Sequence, residues 1–449
     1  MERINLRYWN NNQIKALLPK EFIRREIGDK VLKFLESGKI ICIYGPRQGG
    51  KSTLLGWIIH KLMDKGISLS QLNYASMDYL DLHPLIQDTR RLVSLLREEA
   101  GDENRVYLFI DEVQRLKEAG LLLKQIYDAH QNIHIIVSGS SVLKIRERVR
   151  EHLTGRKEEF VLYPFNFLEF LRAKKAIPKE RIHRYELGQL NEFVELYKER
   201  LSELWKEFMR IGGYPEMVLK PEIRQRLYSA LFSSYLERDV GNLIRTGNYR
   251  VFEDFLKILA EEGGKIYNRS NFSRILRRDT RTIEKFEEIL LSTFVIYKLI
   301  PFYTNVRKEI RKAPRFYFVD NGLRNYIAKE GRDISISGFI LENSLISELI
   351  HILSLSECNY HWWRSKGGAE VDFIIRCKNK FIPVEMKKGV LKEPKLTRSF
   401  ISFLNYYHPP RAFFITSDLL KKIYYKKTEV WFIPSFVFTL LEEKEITPK

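Results

Sequence analysis

Lys39 to Leu55 reads KIICIYGPRQGGKSTLL. Its first part, Ile40, Ile41, Cys42, Ile43 and Tyr44, is an unbroken apolar, β-branched run, the pattern of a buried parallel strand. The run breaks at Gly45. From there Gly45-Pro46-Arg47-Gln48-Gly49-Gly50-Lys51-Ser52 satisfies G-x-x-x-x-G-K-[ST] at every fixed position. Leu54, Leu55, Ile58, Ile59 and Leu62 then recur at helical spacing. A strand, a glycine loop and a helix in that order define a P-loop. The glycines let successive backbone N–H groups converge on an anion, and the helix N-terminus adds its partial positive charge. Gly45, Pro46, Arg47, Gln48, Gly49, Gly50, Lys51, Ser52 and Thr53 are therefore expected to hold nucleotide phosphates. Lys51 would reach the β- and γ-phosphates, and the Ser52 hydroxyl would hold Mg2+.

Outward from that loop, 449 residues are too many for one core, and at about 150 residues per domain several are expected. Lys and Arg number 76 against 57 Asp and Glu, a net charge of +19, which favours a polyanionic partner or serves solubility. Charge alone does not separate nucleic acid from an acidic membrane. The three cysteines, Cys42, Cys358 and Cys377, show no C-x-x-C spacing, which points to a reduced compartment and no zinc site. The N-terminus has no apolar leader core and no stretch is long enough to span a bilayer, so a cytoplasmic protein with no membrane partner is expected.

Downstream, Leu69–Met77 reads as a strand, Leu85–Glu99 as a helix, and Val106–Ile110 as a second apolar strand closed by Asp111-Glu112. After a P-loop this is the Walker B pattern, in which Asp111 serves the Mg2+ shell and Glu112 polarises the attacking water. The second carboxylate argues for hydrolysis rather than binding alone. Ile133–Val137 gives another strand, followed by Ser138-Gly139-Ser140-Ser141 at the end where α/β sheets place ligands. A hydroxyl there, Ser140 being the candidate, can sense the γ-phosphate, or the serines can cap a helix over Val142–Arg150. Arg156 is the candidate basic sensor, in cis or across a subunit contact, with a solvated surface arginine the competing reading.

With GPRQGGKSTLL, LFIDEVQRL, SGSS and TGRKEEFVLYPFNFLEF in view, the chain resembles a family of archaeal and bacterial AAA-like P-loop ATPases. The similarity runs on through Gly212-Gly213-Tyr214-Pro215 and Tyr235-Leu236-Glu237-Arg238-Asp239 into the C-terminal half. The resemblance implies ATP as the nucleotide. It also implies an α/β fold in which a P-loop NTPase parallel sheet carries a helical extension, a winged helix and a C-terminal α/β restriction-endonuclease-like domain. Gly49 is a small departure, because the family more often has an apolar residue there. The corresponding boundaries are 1–175, 176–248, 249–330 and 331–449.

The middle of the chain agrees with that order. Tyr185–Ile211 is amphipathic and Gly212-Gly213 ends it, while Glu237-Arg238-Asp239 either links nucleotide state to a lid or forms a surface ion-pair patch. Three helices (Phe252–Ala260, Ser270–Arg277, Thr280–Ser292) precede strand-like runs at Tyr297–Tyr303 and Arg315–Val319, the order of a winged helix. Lys265–Arg315 holds thirteen Lys and Arg against five Asp and Glu. That excess fits duplex DNA, with Arg281 and Lys285 on the recognition helix and Arg307, Lys308, Arg311 and Lys312 on the wing, or else the segment packs between domains.

Near the C-terminus, EVDFIIRCKNKFIPVEMKKG proposes a β-hairpin. A two-residue turn at Lys378-Asn379 sets Cys377 against Lys380 and Asp372 against Glu385, with Lys387 on the face of Glu385. Facing carboxylates repel unless a cation sits between them. Asp372, Glu385 and Lys387, with Glu342 preferred over Glu348 from the preceding helix, form the PD-(D/E)xK nuclease pattern. In it Glu342, Asp372 and Glu385 hold Mg2+, and Lys387 positions water.

Two functional readings follow. One is a Mg2+-dependent ATPase acting on DNA, with nuclease activity open. The other is an ATP-controlled switch or scaffold that binds a protein partner through an inactive nuclease-like domain. A homo-oligomer is compatible with both.

Overall fold

The structure is a computed structural model that describes residues 22–101, 105–130, 132–140, 153–241, 243–244, 246–302, 313–329, 335–354 and 356–448, with Ile14 and Leu17. The expected helix at 142–150, Ser141 and the four wing cations lie outside the described residues. The chain forms two compact units, Met1–Pro164 with Ser292–Phe294, and Phe165–Leu291 with Val295–Lys449.

The first unit is built on five parallel strands: β1 Ile40–Tyr44, β2 Leu72–Ser76, β3 Val106–Asp111, β4 Ile133–Gly139 and β5 Lys157–Val161. Their order across the sheet is β2-β3-β4-β1-β5. Parallel strands need helical crossovers and become buried on both faces, which explains why β1 reads as a continuous apolar run and why β2 is buried throughout although it carries Asn73 and Ser76. The helices include α1 Glu26–Phe34, α2 Lys51–Asp64, α3 Thr89–Ala100 and α4 Ala119–Ala129. Leu92, Val93 and Leu96 of α3 and Leu122, Leu123 and Ile126 of α4 close one core with Val106, Leu108 and Ile110 of β3. The helix expected over Leu85–Glu99 is two, because Asp88 interrupts it and caps α3 by accepting from the Arg91 N–H at 3.1 Å.

The second unit begins with α5 Phe167–Lys174 and the single 22-residue helix α6 Leu190–Ile211. Then α7 Arg224–Ser234 continues as a π-helical turn, Tyr235–Val240. That turn carries Glu237 and Arg238 exposed and Asp239 buried. Next come α8 Tyr249–Glu262, α9 Arg269–Leu276, α10 Thr280–Ser292, β6 Ile296–Pro301 and β7 Arg315–Phe318. Asp279 caps α10 as its spacing suggests, accepting from the Thr282 N–H at 2.9 Å. The remaining elements are α11 Asn321–Ile327, α12 Gly338–Ile352, β8 Cys358–Arg364, β9 Glu370–Cys377, β10 Lys380–Met386, α13 Arg398–Tyr407, β11 Arg411–Thr416, β12 Lys421–Tyr425 and β13 Thr428–Pro434.

Three helices and an antiparallel strand pair do occur in the expected order over the middle segment. The pair does not stand apart. β6 also pairs in parallel with β8, through Ile300 with His361 and Pro301 with Trp362. One eight-stranded sheet therefore runs β12-β13-β11-β10-β9-β8-β6-β7, and residues on both sides of the expected 330/331 boundary share it. The two compact units part after Pro164, and the pairing of β6 with β8 across a long connection leaves no local mark in the sequence.

The reading of all three cysteines as reduced is corrected for two of them. Cys358 and Cys377 stand directly opposite each other on β8 and β9 and form a disulfide, while Cys42 is free and buried. No described helix is long and apolar enough to cross a membrane.

The Gly212-Gly213 pair earns its place through close approach. Gly212 has φ +67°, and a Cβ on Gly213 would sit 2.0 Å from the carbonyl oxygen of Phe165. The Gly213 N–H donates to the buried Asp320 carboxylate at 2.6 Å, and Asp320 also caps α11 by accepting from the Leu323 N–H at 2.7 Å. Burial raises the Asp320 pKa to about 6 against the opposing pull of these N–H groups. Gly213→Ala is expected to destabilise this unit by about 2 kcal/mol or more, seen as a lower melting temperature by circular dichroism.

Candidate nucleotide site and carboxylate cluster

The strand registers bring one end of the first sheet to a common level. Val137 of β4 pairs with Cys42 of β1 on one side and with Ile110 of β3 on the other. Ile43, Ser138 and Asp111 are therefore level, two residues before the loop that opens at Gly45. Two strand spacings, about 10 Å, separate the exits of β1 and β3. The loop is tightly held. A Cβ on Gly45 would lie 2.0 Å from the Leu162 carbonyl oxygen, Gln48 is left-handed at φ +56°, and Gly50 has φ +97°. Gly50 is the N-cap of α2 and supplies no side-chain cap, which leaves the helix start open to an anion. The buried Lys51 ammonium donates to the carbonyls of Gly45, at 3.1 Å, and Pro46, at 2.9 Å. Ser52 is exposed on the first turn and Thr53 half-buried.

Asp111 ends β3 and is laced to both neighbouring strands. Tyr74 of β2 donates its hydroxyl to Oδ2 at 2.9 Å, Ser138 of β4 donates to Oδ1, and the Glu112 N–H reaches Oδ1 at 3.1 Å. Burial and the adjacent carboxylate push the Tyr74 phenol far up, so it stays protonated and keeps donating. Glu112 turns the chain at φ +55°. Its Oε2 accepts from the Gln114 amide and, at 3.4 Å, from the Ser140 hydroxyl, while Gln114 also reaches Ser140 at 3.1 Å. The described residues thus bring together the loop, Lys51, Ser52, Asp111, Glu112 and Ser140 at one end of the sheet.

Arg156 is not among them. It precedes β5, whose Lys157 pairs with Ile40 at the start of β1, about 16 Å along the strand from the loop end. Its guanidinium is bidentate to Asp128, at 2.7 and 3.3 Å. Sensing the γ-phosphate in cis is therefore corrected, because parallel register puts Arg156 at the sheet end opposite the loop.

Three residues went unread in the sequence, Tyr74, Gln114 and Arg25, and Ser138, read there within the serine turn, serves Asp111 instead. Arg25 is 5% exposed and donates to the carbonyls of Gly49 at 2.9 Å, Tyr163 at 2.5 Å and Pro164 at 3.3 Å. It ties the N-terminal segment to the phosphate loop and to the exit of β5. The apolar spacing around it marks a helix but not that contact.

In the second unit the hairpin turns at Lys378-Asn379, and its ladder runs from Cys377 opposite Lys380 to Phe373 opposite Val384, ending one step short of Asp372 and Glu385. Asp372 accepts from the Met386 N–H at 2.8 Å. Glu385 is 2% exposed; its Oε1 meets Thr397 at 3.2 Å and Lys387 at 3.3 Å, while its Oε2 is buried with no hydrogen-bond partner. Glu342 of α12 accepts from the Tyr317 hydroxyl at 2.7 Å and lies 3.8 Å from Arg315. Glu348 serves elsewhere, accepting from the Phe167 N–H at the start of α5.

Burial first, and the charge of Asp372 second, push Glu342 up to about 7 and Glu385 up to about 8; burial also raises Asp372. Lys387 is pulled down by burial but raised on balance by Glu385, Asp372 and Glu342. An orphaned buried carboxylate oxygen among acids that resist ionisation fits a divalent cation. Among the described residues, however, no group of three or more His, Cys, Asp or Glu side chains stands arranged to hold a metal.

Residues 37–171 match the family model of an AAA domain. This AAA segment holds the sheet and loop just described, and the match supports a P-loop ATPase that binds and hydrolyses ATP. Two further models match, both domains of unknown function: DUF8612 over 202–333 and DUF4143 over 337–436. An uncharacterized protein of Haemophilus influenzae is 22% identical over 427 residues, covering 93% of this chain and 96% of that protein. An uncharacterized protein of Methanocaldococcus jannaschii is 29% identical over 372 residues, covering 79% and 77%. Among solved structures, the ADP form of the Aeropyrum pernix ORC2 protein is similar at 13% identity and a TM-score of 0.33, covering 64% of this chain and 91% of that chain. A likeness of that depth says nothing about what this chain binds.

Two outcomes are expected. Arg25→Ala should lower the melting temperature of the first unit, a loss of roughly 2 kcal/mol, because three buried carbonyls lose a charged donor. In the second unit, a carboxyl raised from 4.5 to about 8 holds its proton more tightly folded than unfolded. The stability it contributes is full below its unfolded pKa and is lost as pH rises toward 8. Melting scans at pH 5 and pH 8.5 should show that loss in the wild type and a smaller one in Glu385→Gln.

Proposed function

We propose that the chain is a Mg2+-dependent ATPase that acts on DNA. The observation that carries the ATPase part is the meeting of the loop, Lys51 and the Asp111-Glu112 pair at one end of the parallel sheet. The Gly45–Gly50 backbone and the open start of α2 bind phosphate oxygens. Lys51 exchanges its two loop carbonyls for the β- and γ-phosphates. Ser52 and Asp111 are the residues that would hold Mg2+, which when bound neutralises charge building up on the phosphates. Tyr74 and Ser138 keep the Asp111 carboxylate aimed. Glu112 orients water and takes its proton, and Gln114 and Ser140 hold the Glu112 carboxylate until it does so.

DNA as the polyanion is supported by the +19 charge and by Arg281 and Lys285, one turn apart and both exposed on α10. In the nuclease-like reading, Glu342, Asp372 and Glu385 take the cation and Lys387 steadies the attacked phosphate. A second reading, an ATP-controlled switch or scaffold with an inactive C-terminal site, draws on a specific observation. Glu342 is already engaged by Tyr317 and Arg315, and Lys387 by Glu385.

The test is ATP turnover with and without DNA. Lys51→Ala should abolish turnover, and Glu112→Gln should lower kcat by at least about 100-fold while ATP still binds. Turnover raised by DNA, together with Mg2+-dependent DNA cleavage lost in Asp372→Ala, supports the first reading in full. Turnover indifferent to DNA but raised by a protein favours the second.

A further inference from the structure

The eight-stranded sheet ends in β12, whose hairpin with β13 reads Lys421-Lys422-Ile423-Tyr424-Tyr425-Lys426-Lys427. Seven consecutive residues carry four lysines and no acid, and all four lysines are exposed. Lysines on an edge strand are a common guard against edge-to-edge pairing. That role does not explain the aromatic rings among them. Tyr424 is 65% exposed and Tyr406, at the end of α13, is 74% exposed.

The hairpin tip fixes α13 beside this edge, where Lys426 donates to Asn405 at 2.6 Å and the Tyr425 hydroxyl reaches the same oxygen at 3.3 Å; alternation sets Tyr424 on the sheet face opposite Tyr425 and α13, so a strand that touches both exposed tyrosines crosses the edge. On the Tyr424 side, Lys422 lies 5.8 Å from the Tyr424 ring centre and 5.4 Å from that of the half-buried Trp431 on β13. The carboxylate beside them, Glu429, is engaged by Arg411 at 3.0 Å and by the Trp431 indole N–H at 2.7 Å, and lies 4.0 Å from the Lys422 ammonium, a distance that leaves Lys422 able to meet a phosphate. The edge therefore offers exposed ring faces interleaved with ammonium groups, the two elements that hold a nucleic-acid single strand: rings for unpaired bases and cations for the phosphates between them. A duplex keeps its base faces stacked inside and cannot use the rings.

We propose that the β12–β13 edge, with Tyr406, is a docking surface for single-stranded nucleic acid, its bases stacking on Tyr424 and Tyr406 and its phosphates meeting Lys421, Lys422, Lys426 and Lys427. Nucleic acid as the partner rests on the reading given above, whereas this place on the fold and the preference for single strands do not depend on the ATP site or the carboxylate cluster.

Anisotropy of a labelled oligothymidine of about 20 nucleotides, longer than the usual footprint, tests it on the full chain. Tyr406→Ala/Tyr424→Ala should weaken binding roughly tenfold or more, and Tyr424→Phe should bind like wild type. Lys421→Ala/Lys422→Ala should also make log Kd less steep in log salt, by about 1.4 for two phosphates. Binding of a duplex of equal length should not change in the tyrosine variants. Unaltered oligothymidine binding in both sets overturns the proposal. If binding is lost instead in Arg281→Ala/Lys285→Ala, the DNA reading stands and this surface falls. If the wild type binds neither form, both fall.

Discussion

Parallel pairing at Val137 underlies everything at the nucleotide end of this molecule. With Cys42 on one side and Ile110 on the other, it makes β1 and β3 leave the sheet at one level, the first into the glycine loop and the second into Asp111. A slip of one residue would carry Asp111 about 3 Å along the strand and turn its side chain to the other face. Tyr74 and Ser138, from the strands flanking β3, keep the carboxylate still once it is there. Arg25 performs the equivalent task for the loop, setting its guanidinium against three carbonyls.

The second unit uses its buried charges in two ways. Some are fully matched by geometry: Asp320 gathers N–H groups around the Gly212-Gly213 turn, and Glu348 meets the start of α5. The cluster of Glu342, Asp372 and Glu385 is different. Burial raises the pKa of all three, the Asp372 charge raises Glu342 and Glu385 further, and one Glu385 oxygen has no hydrogen-bond partner, so charge there depends on a cation the chain only partly supplies through Lys387 and Arg315. Natural cores seldom keep such a group without use.

What was legible in the sequence followed the range of the interaction. The strand, loop and helix around Gly45–Ser52, the strand closed by Asp111-Glu112 and the two-residue turn at Lys378-Asn379 are each set within a few residues, and the structure has them in that arrangement. A cis role for Arg156 was misread because spacing does not say which end of a parallel strand a residue occupies. The Cys358–Cys377 disulfide escaped for a related reason: 19 residues separate the two, and only strand register sets them opposite. Glu342 and Glu348, both on α12, are told apart only by what packs around each. The reach of β6 across to β8 left no mark in the sequence at all.

That last pairing has a mechanical consequence. A three-helix segment joined to its neighbour by a flexible connection can swing, and its reach is set by the connection. Here the hydrogen bonds between β6 and β8 weld the strands after α10 into the sheet that bears Asp372 and Glu385. The stiffness of a continuous sheet replaces the slack of a tether, leaving shared twist as the soft coordinate. Force applied to α10 or to β7 would be delivered along the strands to the carboxylates, so load and chemistry in this unit belong to one elastic body.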